Sequence, residues 1–177
     1  MELQILHMIQ GWHQDWLSEI MIFFSTIGNG GMCWIVVCLA LLIIPRTRKC
    51  GLVMAFSMIL TLILGNKIIK NVVARPRPCA VDQSVRLLIP FPGEYSFPSG
   101  HTSNSFTAAV SVFLFYRKPG IIALAVASII AFSRMYLFVH YPTDILGGIL
   151  LGTLDAMLVY ACVQKWGDML SKRQTNQ

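Results

Sequence analysis

Long apolar runs broken by turn signals limit what this chain can fold into. Six stand out, at about 16–27, 32–44, 52–69, 102–116, 121–138 and 145–163. A helix needs ~20 apolar residues to cross a bilayer. Only 12% of the 177 residues are charged and 55% are hydrophobic, with a mean hydropathy of +0.64. Soluble domains carry about a quarter charged residues. These values exclude an ordinary soluble domain and predict an all-α, polytopic membrane bundle of about six helices, with residues 1–177 forming one domain. The first two runs are short, and "GNGG" (28–31) separates them, so one longer span across the break is the alternative. The opening "MELQILHMIQGWHQDW" has no basic region and no small-residue cleavage site, so it reads as part of the mature chain rather than a signal peptide.

Loop charge predicts orientation. "RTRK" (46–49), "RK" (117–118) and the tail from Lys165 to Arg173 fall at one end of the proposed spans, and the positive-inside rule assigns that end to the cytoplasm. Trp12, Trp16 and Trp166 sit where interfacial aromatics do, and Trp34 reads as lipid-facing or packed. His7 and His13 also read as interfacial. The net charge of +6 is scattered between apolar runs rather than gathered in a stripe, which argues against nucleic acid as a partner. The five cysteines have no metal-binding spacing, and Cys33, Cys38 and Cys162 read as packing residues.

The opposite face is also basic, and sidedness does not account for that. Lys70 closes the third run, Arg77 follows within "RPRP", and Arg134 ends the fifth. Three cations from three segments suit a phosphate, Arg through paired hydrogen bonds and Lys as a point charge. Snorkelling to lipid headgroups is the alternative for each taken singly. The loop between Asn71 and Gly100 holds five of the eight prolines and ends in "PSGH" (98–101). There Ser99 reads as an N-cap, Gly100 admits close approach to backbone N–H groups, and His101 projects from the first turn of a helix whose free N–H groups suit an anion. In "HYPTD" His140 and Asp144 lie four apart, on one face of a helix entry. A carboxylate on one imidazole nitrogen leaves the other free to attack, although Thr143 or Asp144 could instead simply cap the helix. No set of His, Cys or carboxylate residues has metal-ligand spacing, so no metal or other cofactor is expected. Nucleophile, acid and charge stabilisation are what phosphate ester or anhydride cleavage requires.

On these residues the chain resembles the type 2 phosphatidic acid phosphatase superfamily, whose core is shared with vanadium haloperoxidases. The first motif, Lys-six residues-Arg-Pro, matches Lys70 to Pro78. The second, Pro-Ser-Gly-His, matches residues 98–101. The third, Ser-Arg, five residues, His, three residues, Asp, matches Ser133-Arg134, His140 and Asp144. The resemblance implies an integral membrane lipid phosphatase acting without a metal through a phosphohistidine on His140, which Asp144 orients. His101 would protonate the leaving oxygen. Lys70, Arg77, Arg134, Ser99 and the Gly100 N–H would hold the phosphate.

The implied substrate is a lipid phosphate or pyrophosphate, with membrane lipids as the other partners and no signal for an oligomeric state. The compact chain resembles bacterial members that recycle undecaprenyl pyrophosphate for the cell wall. Phosphatidylglycerophosphate and phosphatidate are the alternatives. The expected location is the cell membrane, multi-pass, with the site on the extracytoplasmic face. A haloperoxidase, or a non-catalytic lipid-phosphate transporter or scaffold, are readings from other classes. Arg75 reads as a solvated loop charge or a contact to a second phosphate, and Glu94 and Tyr95 as gate or packing residues. Asp155, eleven residues beyond Asp144 and so about three turns along the helix, is an intramembrane acid expected to pair with Asn66 or Lys67.

Overall fold

The computed structural model describes the backbone of residues 1–175 and the side chains of residues 1–166. The side chains of Lys172 and Arg173 in the basic tail lie outside the described residues. All regular structure among them is helical: α1 (Glu2–Gln10), α2 (Asp15–Ile27), α3 (Met32–Ile43), α4 (Arg48–Thr61), α5 (Lys70–Val73), α6 (Pro78–Val81), α7 (Gly100–Phe115), α8 (Arg117–Tyr136) and α9 (Pro142–Thr175). A π-helical stretch, Leu62–Ile69, joins α4 to α5 without a break.

Three stretches are long and apolar enough to cross a membrane on their own: Arg48–Val81, Arg117–Tyr136 and Pro142–Trp166. α2 and α3 qualify only as a pair, bent by 48° across the short turn Asn29–Gly31. Gly30 (φ +59°) and Gly31 (φ +72°) make that bend in the left-handed region, where a Cβ is costly. The result is three or four qualifying spans, and the count of about six is not reached. One reason is the bend. Another is α7, whose 16 residues rise only ~24 Å.

α7 forms the centre of the bundle. Thr102, Ser103, Ser105, Thr107 and Ser111 on it are buried, as are Ala108 and Ala109. Small side chains let neighbouring backbones approach closely, as interhelical contacts in membranes favour. A Cβ on Gly152 of α9 would stand 2.3 Å from the Ser103 carbonyl oxygen. Hydroxyls on this helix bond back to carbonyls one turn earlier, as Thr107 does to Ser103 and Ser111 to Thr107, both at 2.8 Å.

Trp34 is packed rather than lipid-facing: it is buried, and its indole N–H donates to Ser105 Oγ at 2.9 Å. The expected partner of Asp155 is also corrected. Neither Asn66 nor Lys67 meets it. Thr61 Oγ1 donates to Asp155 Oδ2 at 2.6 Å and lies 2.8 Å from Thr107 Oγ1, so the acid ties α4, α7 and α9 together. Lys67 falls on an exposed face of the π-helical stretch, while Asn66 turns towards the site described below.

Two apolar clusters fill the rest. One, around Trp34, Met54, Ala109 and Ile130, packs α3, α4, α7 and α8. The other sets Leu6 and Ile9 of α1 against Tyr136 and Phe138. Tyr116 donates its hydroxyl to the Arg46 carbonyl at 3.1 Å, which joins the two basic loops at one end of the bundle. Cys38 and Cys50 are buried, but Cys162 is exposed on α9 and is not a core packing residue. His7 and His13 are both engaged by protein. His7 Nε2 lies 2.8 Å from Asp82 Oδ2, and His13 Nε2 lies 3.0 Å from the Tyr136 carbonyl.

Candidate active site

At the other end of the bundle, the end of α2 and the bend after it, the loop before α7, the first turn of α7, the end of α8 and the turn that follows it enclose a cavity of about 530 Å³. Lys70, Arg77, Gly100, His101, Arg134 and His140 line it, so six of the eight expected site residues share one space. Ser99 and Asp144 stand behind the wall, both fully buried. Ser99 occupies the N-cap position of α7 but makes no side-chain cap bond. Its hydroxyl instead accepts from Thr102 Oγ1 at 3.0 Å, and its backbone N–H donates to the Asp144 carbonyl at 3.1 Å. Ser99 therefore joins the start of α7 to α9 rather than facing the cavity.

The cations are deeply buried: Lys70, Arg77 and Arg134 are 5%, 6% and 4% exposed. Burying a charge is costly unless it is paired. Among the described side chains, one carboxylate reaches this group, Glu94, whose Oε2 accepts from Lys70 Nζ at 2.7 Å. The bond and charge of Lys70 hold the Glu94 carboxyl below its ordinary range. Arg77 has uncharged partners: it donates to the Glu94 carbonyl at 2.6 Å and the Val139 carbonyl at 3.0 Å. Arg134 donates to Ser25 Oγ, while its Nε is buried with no partner. Asn66 Oδ1 is unpartnered too, and a Cβ on Gly100 would stand 3.0 Å from it. A cavity lined by surplus positive charge and an unused donor suits an anion.

His140 sits at the end of a strained turn. Phe138, buried and bulky, takes a φ of +59°, a conformation that such a residue adopts only where its surroundings impose it. His140 Nε2 lies 3.0 Å from Arg77 Nη1. A guanidinium only donates, so Nε2 carries the lone pair and Nδ1 the proton. Nδ1 faces Asp144 Oδ2 at 3.5 Å and Ser96 Oγ at 3.4 Å. Burial pushes the His140 imidazole down to about 3, so the ring is neutral at ordinary pH, with the Nε2 lone pair at the cavity wall taken up by Arg77.

Ser96 was not singled out by sequence reasoning. Its hydroxyl donates to Asp144 Oδ2 at 2.5 Å, and its backbone N–H donates to the Arg75 carbonyl at 2.8 Å. Asp144 also accepts the Tyr141 N–H at 2.8 Å, a bond that caps the first turn of α9. Asp144 therefore sits at the third position of α9 rather than at its N-cap, with one carboxylate both closing the helix start and facing His140. His101 Nε2 is held 2.9 Å from Asn29 Oδ1, in the bend between α2 and α3. Asn29 had no motif to mark it.

Two expectations fail here. Arg75 does not line the cavity and is not a free loop charge: it is half-buried and pairs with Asp144 and Glu2. Tyr95 is exposed and does not line the cavity, whereas Glu94 does. Among the described residues, no group of three or more His, Cys, Asp or Glu is placed to hold a metal ion.

Residues 50–168 match the PAP2 superfamily. The chain is 38% identical over 143 residues to an undecaprenyl-diphosphatase of Sulfolobus acidocaldarius, covering 80% of this chain and 68% of that one. It is 33% identical to the bacitracin transport permease protein BcrC of Bacillus licheniformis, covering 81% and 67%. Among solved structures, it is similar to the transmembrane PAP2-type phosphatidylglycerolphosphate phosphatase of Bacillus subtilis. The TM-score is 0.75 at 27% identity, with 93% of this chain and 85% of that one covered. This chain belongs to the PAP2 superfamily.

Proposed function

We propose that this chain is a membrane lipid phosphatase that needs no metal and uses His140 as nucleophile. The observation that carries the reading is the cavity in which three buried cations, with one carboxylate among them, surround the unprotonated Nε2 of His140. In the first step Nε2 attacks phosphorus, the bond to the leaving oxygen breaks, and that oxygen takes a proton from His101, which enters the step as the imidazolium that the charge of a bound phosphate favours. A phosphohistidine and the free lipid alcohol or lipid phosphate result. In the second step water attacks phosphorus, the Nε2–P bond breaks and returns its electron pair to His140, His101 takes back a proton from the water, and inorganic phosphate leaves. Lys70, Arg77, Arg134 and the Gly100 N–H neutralise the equatorial oxygens, where transition-state charge is spread. Ser99 supports this cradle from behind through Thr102 and Asp144.

Three contacts must yield to substrate, the first being the Arg77 hydrogen bond that occupies the Nε2 lone pair of His140. The phosphate displaces Glu94 from Lys70, and the leaving oxygen takes the place of Asn29 on His101. Asp144, held by Ser96, keeps the Nδ1 proton of His140 in place and stabilises the cationic ring that forms.

Undecaprenyl pyrophosphate is the proposed substrate, supported by the Sulfolobus relative. Phosphatidylglycerophosphate is the alternative, supported by the Bacillus subtilis structure. The proposed layout is one membrane domain with about six membrane-embedded segments, counting α7 and the two arms of the bent pair separately. The proposed place is the cell membrane, with the site on the extracytoplasmic face, because the joined basic loops at the other end favour the cytoplasm. A lipid-phosphate transporter is the second reading, favoured by the name of the Bacillus licheniformis relative.

Phosphate release by the detergent-purified protein from undecaprenyl pyrophosphate, phosphatidylglycerophosphate and phosphatidate, in EDTA, tests these readings together. Release that is abolished in His140→Ala supports the phosphatase, and the ratio of rates identifies the substrate. No release from any of the three by a folded protein favours the transporter.

A further inference from the structure

Behind Asp144, away from the cavity, lies a group of charges that the phosphate chemistry leaves unused. Arg75 Nη1 donates to Asp144 Oδ1 at 2.7 Å and to Thr143 Oγ1 at 2.7 Å, while Nη2 donates to Glu2 Oε2 at 2.6 Å. The ring of Tyr141 covers the guanidinium, 3.9 Å from its centroid, and fixes its plane. The other oxygen of Glu2 accepts from Thr143 Oγ1 at 2.7 Å and from the Thr143 N–H at 3.2 Å. Glu2 therefore grips both the arginine that touches Asp144 and the helix turn that carries Asp144.

We propose that Glu2 and Arg75 are positioning residues for catalysis, so that α1 completes the site through the chain Glu2–Arg75–Asp144–His140. This inference rests on the proposed roles of Asp144 and His140. It concerns a segment outside residues 50–168, where the family match lies.

Asp144 has three donors besides His140: Arg75, Ser96 and the Tyr141 N–H. An arginine paired with Asp144 alone would draw on the negative charge that faces His140 Nδ1. Glu2 gives the same guanidinium a second carboxylate and so leaves more of that charge for the imidazole. The gain is largest when the ring turns cationic on accepting the phosphoryl group, so the coupling acts on turnover rather than on substrate binding. α1 is also docked without Glu2. Leu6 and Ile9 are buried against Tyr136 and Phe138, Gln10 Nε2 donates to the Tyr136 carbonyl at 2.9 Å, and His7 reaches Asp82. Removing the Glu2 charge therefore leaves the helix in place.

The test compares Glu2→Gln with His7→Gln, which breaks a tie of the same helix without touching Arg75. In the full chain, Glu2→Gln lowers kcat by about tenfold with KM and melting temperature unchanged, and His7→Gln keeps the parent kcat. A parent kcat in Glu2→Gln, or equal losses in both variants, overturns the proposal. The 15N shift of the His140 Nδ1–H reads the coupling without turnover. It moves in Glu2→Gln and not in His7→Gln, and an unmoved signal also overturns the proposal. A parent protein that releases no phosphate while this shift still moves condemns the phosphatase reading and leaves the coupling standing.

Discussion

At the scale of single residues, the site depends on which atoms are already engaged. The protonation of His140 follows from its neighbours, because Arg77 can only donate and so leaves Nε2 with the lone pair. His140→Ala is expected to lower kcat by at least about a thousandfold, with the protein still folded, since no other group stands in for the nucleophile. Ser96→Ala removes the 2.5 Å donor to Asp144 and is expected to lower kcat by roughly tenfold with little change in KM. An unchanged kcat would show that Tyr141 and Arg75 hold the carboxylate without it.

The charged and imidazole members of this site were readable from sequence because they fall in three spaced motifs with no other use on an apolar chain. Ser96, Asn29 and Glu2 were not, because each acts through a contact between distant segments. The Glu2–Thr143 pair, for example, spans 141 positions. Arg75 was misread for the same reason. Its carboxylate partners, Asp144 and Glu2, lie 69 and 73 positions away and belong to other segments.

At the scale of elements, close packing of α7 and α9 and the charge on the loop before α7 control the site. Gly152→Ala places a Cβ against the Ser103 carbonyl and the Thr107 N–H, and is expected to destabilise by about 1–3 kcal/mol. A thermal melt in detergent measures this. Thr61→Val leaves Asp155 with no donor among the described side chains, at an expected cost of about 1–3 kcal/mol. An unchanged melting temperature would show that the acid does not hold the helices together.

The Glu94–Lys70 pair has a definite pH dependence. The folded carboxyl lies below its ordinary value of 4.5, so its contribution to stability is present above pH 4.5 and is lost as pH falls through the lower, folded value. The Glu94 side chain is 71% exposed, so the effect is small. The melting temperatures of the parent and Glu94→Gln should differ above pH 4.5 and converge in stronger acid. The apolar runs and the glycine break were visible in the sequence. The π-helical stretch that carries Asn66 at the cavity was not, because no residue within it marks a departure from the α-helix.

At the scale of the whole molecule, an apolar bundle carries its polar chemistry at one end. The apolar runs predicted the all-helical class well, but their count overstates the number of independent spans. Hydropathy does not distinguish a helix that crosses lipid from α7, which lies inside the protein with its hydroxyls bonded to its own backbone. The placement of Lys70, Arg77, Arg134, His101 and His140 around one cavity, from segments up to 70 residues apart in sequence, was foreseen from motif spacing.

The central claim is that His140 itself carries the phosphoryl group. Rapid acid-free quenching of the protein with a 32P-labelled lipid pyrophosphate, in EDTA, tests it most directly. The account predicts label on His140 that is stable to base and labile to acid, and no label in His140→Ala. Phosphate released at the parent rate with no labelled protein at any quench time would contradict it, because water would then be attacking the lipid phosphate without a covalent step.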